Sequence, residues 1–203
     1  VIYPNRPPVA DAGGDQTVEC DSEDGTRVVL DGSNSSDADS TPETNDDIVS
    51  FEWFVDYDNP DETKIADGEV TQAAFELGSH EVTLLVTDSA GETDSDTVTV
   101  EIVDTMPPEI RLSLDPSTIW PPNHRMVDVH ASVVVMDCDD DVAIELVSVT
   151  SNEPVNANGD GNTEPDIILE CDRVELRSER QGGSNGRTYR LGWTAVDGSG
   201  NVT

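Results

Sequence analysis

The chain repeats one layout twice, about 100 residues apart, and this repeat limits what it can fold into. The first copy opens at Pro7-Pro8 and approaches its close with Asp88-Ser89-Ala90-Gly91, while the second opens at Pro107-Pro108 and approaches its close with Asp197-Gly198-Ser199-Gly200. A Pro-Pro pair cannot donate to a strand ladder and so marks an edge-strand start, and Asp-x-x-Gly forms a turn after a strand. The repeat predicts two tandem domains, residues 6–104 and 105–203, after a linker or N-terminal extension at residues 1–5.

Short runs that alternate between apolar and polar residues fill both domains, and Gly, Asn, Asp and Ser clusters separate them. The runs of the first domain are Thr17–Cys20, Arg27–Leu30, Ile48–Val55, Ala73–Phe75, Glu81–Thr87 and Asp96–Ile102. Period-two alternation predicts strands, and helical periodicity is absent. Six or seven short strands in about 100 residues, with turns at regular intervals, are typical of a β-sandwich. Trp53 lies inside one of these runs, on the same face as Phe51 and Val55, which favours a core position over an exposed sugar-binding surface.

Three segments of the first domain together resemble a polycystic-kidney-disease (PKD) domain. They are Leu30–Asp39, Ile48–Phe54 and Gly78–Gly91, and the resemblance covers residues 6–104. It implies an immunoglobulin-like sandwich that serves in extracellular proteins as a spacer or binding module. The chain departs from the family after Trp53, where Phe54–Pro60 replaces the usual aromatic residue and Gly-Asp-Gly turn.

The second domain looks like an Ig-like repeat found beside PKD domains in large bacterial surface or secreted proteins. The segments that carry this resemblance are Trp120–His124, Ser151–Pro154 and Tyr189–Asn201. The predicted fold is therefore all-β, with two tandem immunoglobulin-like β-sandwiches. We expect the second sandwich to lack most of its last strand within these 203 residues, either because the chain is trimmed or because a neighbour supplies the strand.

The chain is strongly acidic, with 44 Asp plus Glu against 10 Lys plus Arg and a formal net charge of -34. Such a chain repels phosphate, so we exclude nucleic acid as a partner. No apolar run reaches the roughly 18 residues of a membrane span, so no membrane contact is expected in these residues. The acidity indicates either a solvated surface or a clustered subset of carboxylates that binds calcium.

Calcium ligands are predicted in three places. In an Ig-like sandwich the loops after the second and sixth strands emerge beside the incoming chain, so acidic residues there come together. Carboxylate and amide oxygens from several loops suit a hard cation of high coordination number. The predicted ligands are Asp104, Asp137, Asp139, Asp197 and Asn201 for the second domain, Asp31, Asp37, Asp39 and Asp88 for the first, and Asn158, Asp160 and Asn162 in a Gly-rich loop.

The three cysteines allow one internal disulfide. Cys138 and Cys171 share the second domain and are predicted to pair in an oxidising compartment, which leaves Cys20 free or bonded outside these residues. The alternative is three buried thiols.

The sequence contains no recognised catalytic motif, so we expect no enzyme. The leading hypothesis is a calcium-stiffened spacer or adhesion segment of a secreted or cell-surface protein, with other protein modules, extracellular matrix or polysaccharide as partners. One alternative is a filament or surface-layer subunit that self-associates by strand exchange. Another is a substrate-binding accessory of a secreted hydrolase.

Overall fold

The computed structural model describes residues 4–41, 44–156, 158–170 and 173–203. The described residues form strands and turns and contain no helix, so no segment among them could cross a membrane as a helix. The chain divides into two compact units, Val1–Thr105 and Met106–Thr203. Each unit is an immunoglobulin-like β-sandwich, which confirms the predicted fold class.

The first unit consists of a larger and a smaller sheet. Its strands are β1 (Gln16–Glu19), β2 (Thr26–Asp31), β3 (Ile48–Val55), β4 (Thr63–Asp67), β5 (Val70–Phe75), β6 (Gly78–Asp88) and β7 (Thr93–Val103). Five of them form one sheet in the order β1-β7-β6-β3-β4, where β1 runs parallel to β7 and the other neighbours are antiparallel. The antiparallel pair β2-β5 forms the second sheet.

Trp53 lies in the core of the first unit. Its side chain is fully buried and its Nε1 donates a hydrogen bond of 2.9 Å to the carbonyl oxygen of Gly68. Gly32 packs so closely that a Cβ there would lie 2.8 Å from Cδ2 of Leu84 and 3.3 Å from the Trp53 ring. In β7 every second residue from Val98 to Ile102 is buried, as period-two alternation requires. The predicted core role of Trp53 is confirmed.

The second unit also has two sheets. Its strands are β8 (Glu109–Asp115), β9 (Met126–Met136), β10 (Ala143–Ser151), β11 (Ile167–Glu170), β12 (Arg173–Arg177) and β13 (Tyr189–Val196). One sheet has the order β11-β12-β9-β8 and the other is the antiparallel pair β10-β13. After β13 the chain turns back, and Val202 forms an antiparallel bridge with Val196.

The core of the second unit is smaller than that of the first. Val129, Val174 and Leu176 form a buried cluster, and partly buried side chains pack against it. Those side chains are Leu114, Ile119, Leu146, Val149, Ile167, Tyr189 and Leu191.

Candidate functional sites

Three aspartates meet at one end of the first unit. Asp37 lies in the loop between β2 and β3, Asp47 comes directly before β3, and Asp88 ends β6. Each contributes a carboxylate oxygen, and these oxygens lie within 4.8 Å of one another. Asp37 and Asp88 are only 7% and 1% exposed. We call this group the Asp37 cluster.

The carboxylates of the Asp37 cluster have different hydrogen-bond environments. Asp88 accepts bonds from the backbone N–H groups of Ala90 and Glu92, at 2.9 and 2.8 Å, and from Nδ2 of Asn5, at 2.8 Å. Asp47 accepts a short bond from the Ser89 hydroxyl. Oδ1 of Asp37 accepts from the N–H of Asp39 at 3.1 Å, but its buried Oδ2 has no hydrogen-bond partner among the described residues. The cluster therefore has an acceptor oxygen that no donor in the described part of the chain satisfies.

Electrostatics in the Asp37 cluster favour a cation. Burial, together with the neighbouring charges of Asp39 and Asp47, raises the pKa of Asp37. The hydrogen bonds from Asn5 and the backbone lower the pKa of Asp88. No ion pair in the described part of the chain involves the three aspartates of the cluster. A divalent cation would supply the positive charge that the protein does not.

The sequence located this cluster only in part. Asp37 and Asp88 were predicted ligands, and the structure brings them together. Asp39 adjoins them, with its Oδ2 3.3 Å from the N–H of Arg6, whereas Asp31 binds the N–H of Ser33 at the end of β2. Asp47 was missed, although its place in the loop that leads into β3 is the signal that could have identified it.

In the second unit, the loops after β9 and β13 come together as their topology predicts. A Cβ at Gly198 would lie 2.4 Å from Oδ2 of Asp139, so the two loops are in contact. Asp137 accepts a bond of 2.6 Å from the N–H of Cys138. Asp197 accepts from the backbone N–H and side-chain Nδ2 of Asn201, at 2.7 and 3.0 Å. Burial opposes ionisation of Asp197, but these donors outweigh it and lower its pKa. The other predicted ligand, Asp104, follows β7 in the first unit.

A buried ion cluster that the sequence did not predict lies at one end of the second unit. The side chain of Arg187 is 1% exposed and lies among four carboxylates that are at most 5% exposed. Its nitrogens are 3.4 Å from Oε2 of Glu153, 3.4 Å from Oδ2 of Asp160 and 3.2 Å from Oε1 of Glu179, and they also contact Asp166. We call this group the Arg187 cluster.

Further donors bind two carboxylates of the Arg187 cluster. Glu153 accepts bonds from the Ser184 hydroxyl and the N–H of Gln181, at 2.5 and 2.6 Å. Burial opposes ionisation of Glu153, but these donors and Arg187 outweigh it and lower its pKa. Glu179 accepts a bond of 2.6 Å from the Thr163 hydroxyl, and its Oε2 lies 3.3 Å from Nδ1 of His124. With His124, the cluster connects three loops: the one between β8 and β9, the one between β10 and β11, and the one between β12 and β13.

The Gly-rich loop predicted to bind calcium supplies part of this cluster. Asp160 is fully buried against Arg187, whereas Asn158 and Asn162 are exposed. Calcium binding by this loop stays a prediction. The sequence feature that could have indicated the Arg187 cluster is a concentration of arginines in the second domain. Half of the 10 basic residues are Arg173, Arg177, Arg180, Arg187 and Arg190.

Cys20 and Cys138 are both disulfide-bonded. Cys20 is 5% exposed, and the expectation that it is free or bonded outside these residues is wrong. Cys171, the predicted partner of Cys138, lies outside the described residues.

Comparisons with known proteins give one relative by sequence and several structural neighbours. The dyslexia-associated protein KIAA0319 homolog of Mus musculus is 36% identical over 104 residues, which is 49% of this chain and 9% of that protein. The chain thus spans less than a tenth of the length of that relative. No family model matches the chain.

Two solved structures illustrate the structural likeness. A carbohydrate-binding module from the β-sandwich superfamily is 16% identical, with a TM-score of 0.36 over 96% of this chain and 56% of that one. The fibronectin(III)-like modules of CbhA from Clostridium thermocellum are 10% identical, with a TM-score of 0.34 over 97% of this chain and 88% of that one. Likeness at this level does not transfer a ligand or an activity.

Proposed function

We propose that this chain is a non-catalytic extracellular module pair, a spacer or adhesion segment of a surface or secreted protein, whose first unit binds calcium at the Asp37 cluster. The observation that carries the proposal is the buried Oδ2 of Asp37, which has no hydrogen-bond partner in the described ranges and belongs to a group of three close carboxylates. Three carboxylates so close repel one another unless they are protonated or bound to a cation.

The donor set favours calcium over transition metals. The Asp37 cluster offers oxygen atoms, without the imidazole or thiolate that zinc and copper prefer. The amide of Asn5 already lies 2.8 Å from Asp88, and a rotation of this amide would present its oxygen to an ion. Calcium accepts six to eight oxygens in flexible geometry, so water and neighbouring carbonyl groups can complete its shell.

An ion at this position would stiffen the end of the first unit. It would join the loop between β2 and β3 to the end of β6, and through Asn5 to the incoming chain. The disulfide-bonded Cys20 and Cys138 support an oxidising, extracellular location. Further calcium at Asp137, Asp139, Asp197 and Asn201, and partners such as other modules, matrix or polysaccharide, belong to the same proposal.

Thermal unfolding in chelator and in excess calcium, at fixed ionic strength and with magnesium as a control, tests the proposal. Calcium at about 100 times its dissociation constant should stabilise the bound unit by about 2.7 kcal/mol, a shift of several degrees for this size. Asp37→Asn should lose most of the shift. Asp31→Asn is the matched control, because it removes one charge outside the cluster. This variant should keep the calcium-induced shift in melting temperature. An equal response in both variants, or none in the unmodified chain, contradicts the calcium site.

Self-association by strand exchange stays a separate prediction. Sedimentation velocity over a range of protein concentrations tests it, since a self-assembling chain forms larger species as the concentration rises.

A further inference from the structure

Trp120 is the most exposed large apolar side chain described in the chain, at 74% exposure. It lies in the segment between β8 and β9 of the second unit. An indole ring in water forgoes the stabilisation that burial of its large apolar surface would give. An exposed indole offers a large apolar face on which a ligand can pack.

The segment that carries Trp120 is firmly attached to the unit. The hydroxyl of Ser178 donates to the carbonyl of Pro121 at 2.6 Å, and the backbones of His124 and Ser178 bond at 2.9 Å. Nη1 of Arg177 also donates to the carbonyl of His124, at 2.8 Å. Because these bonds hold the chain directly after Trp120, the indole is attached to a fixed support, which reduces the entropy lost when a ligand binds.

A cavity of about 420 Å³ opens beside Trp120. Apolar side chains from both sheets line its floor: Leu114, Ile119, Val129, Leu176 and Leu191. Four exposed polar side chains stand around it: Ser117, Thr118, Arg180 and Asn185. In the described part of the chain, none of these four side chains forms an internal hydrogen bond or ion pair.

We propose that this cavity, with Trp120 at its mouth, binds a saccharide. A sugar ring has an apolar face of C–H groups that packs on an indole, and hydroxyl groups around its edge that need donors and acceptors. The cavity offers both: the indole and the apolar lining suit the C–H face, and the four polar side chains can bond the hydroxyl groups. The size of the cavity suits one to two sugar rings, so a longer glycan would bind through part of its length.

Arg180 makes the charge of the sugar testable. It is one of only 10 basic residues in a chain of net charge -34, and it lines the cavity without an acidic partner among the described residues. A guanidinium donates to sugar hydroxyls and forms bidentate bonds with the carboxylate of a uronic acid. Comparing the binding of a neutral and a carboxylated oligosaccharide therefore shows whether the site prefers a neutral sugar or a uronic acid.

Saturation-transfer NMR with the full 203-residue chain tests the site, using cellohexaose, mannohexaose and trigalacturonate as probes. We expect saturable binding of at least one, and the same affinity in calcium chelator, since none of the proposed calcium ligands lines the cavity. Trp120→Ala should weaken binding at least about tenfold. Arg180→Gln should reduce the affinity for trigalacturonate more than the affinity for the neutral sugars.

Val147→Ala is the matched control, because it truncates another exposed apolar side chain of the same unit outside the cavity lining and should bind normally. Trp120→Ala and Val147→Ala should both melt at the temperature of the unmodified chain, since neither side chain is buried. Unchanged binding in Trp120→Ala, or no saturable binding of any probe tighter than about 10 mM, would overturn the proposal. A calcium response without sugar binding would leave the proposed function intact and remove only this site.

Discussion

Nη2 of Arg187 lies 3.4 Å from Oδ2 of Asp160, and both side chains are almost completely removed from water. This contact connects a Gly-rich loop to the segment that enters β13, and Arg187 extends the connection to Glu153, Asp166 and Glu179. Buried carboxylates are tolerated only when they are paired, so four of them depend on one guanidinium and the donors around it. Arg187 thus connects the loops at this end of the second unit.

Replacement of Arg187 should therefore destabilise the second unit strongly. Arg187→Met leaves four buried carboxylates without their shared cation, and loss of one partner of a buried ion pair typically costs about 3–5 kcal/mol. Arg190→Met is the matched control, because Arg190 lies exposed in β13, three residues after Arg187, and the change in charge is identical. Urea unfolding followed by tryptophan fluorescence measures the difference. Equal midpoints for the two variants would show that the cluster adds nothing to stability.

The same cluster should make the second unit sensitive to acid. The pKa of Glu153 is lower in the folded state, so its contribution is fully present above the pKa of the unfolded chain and disappears as pH falls through the folded value. The unit should lose stability as the pH falls below about 4.5. Melting curves recorded across this range, for the chain and for Glu153→Gln, measure the loss. Glu153→Gln should be less stable at neutral pH, and its melting temperature should change less with pH. Parallel pH profiles for the two proteins would contradict this role of Glu153.

The architecture was predictable because the period of side-chain alternation is a local property. The repeat of Pro-Pro and Asp-x-x-Gly predicts two domains, and the alternating runs predict that each is a sandwich. The position of Trp53 within one of these runs predicts that its side chain is buried. Topology then places Asp37 and Asp88 near each other, because the loops after the second and sixth strands of such a sandwich share one end.

The missed features depend on distances along the chain that no local pattern encodes. Asp47 and Asp46 are adjacent acids before β3, and only the three-dimensional path shows that Asp47 faces the cluster while Asp46 binds Thr41. The partners of Arg187 lie 8 to 34 residues away. With 44 acidic residues in the chain, spacing could not identify the four that surround it.

Asp37→Asn should have opposite consequences with and without calcium. The pKa of Asp37 is raised in the folded state, so its ionised form destabilises the unit at neutral pH, and stability increases as pH falls towards the folded value. In chelator, the neutral amide should raise the melting temperature of the first unit by a few degrees and remove this pH dependence. In calcium the variant should fall below the unmodified chain, because it lacks a ligand. A variant that is less stable under both conditions would indicate that the aspartate acts only through its hydrogen bond to Asp39.

Trp53→Phe tests the polar contact inside the first core. The indole Nε1 donates to Gly68 at 2.9 Å within a fully buried site, and phenylalanine keeps an aromatic ring there but leaves the carbonyl of Gly68 without this donor. An unsatisfied buried acceptor costs about 1–3 kcal/mol, and the smaller ring adds a cavity penalty. Phe54→Leu is the comparison variant, because Phe54 is the neighbouring aromatic of β3 and is only half-buried. Urea unfolding should show the larger loss for Trp53→Phe. If the two losses are equal, the hydrogen bond to Gly68 does not contribute to the stability of the hairpin between β4 and β5.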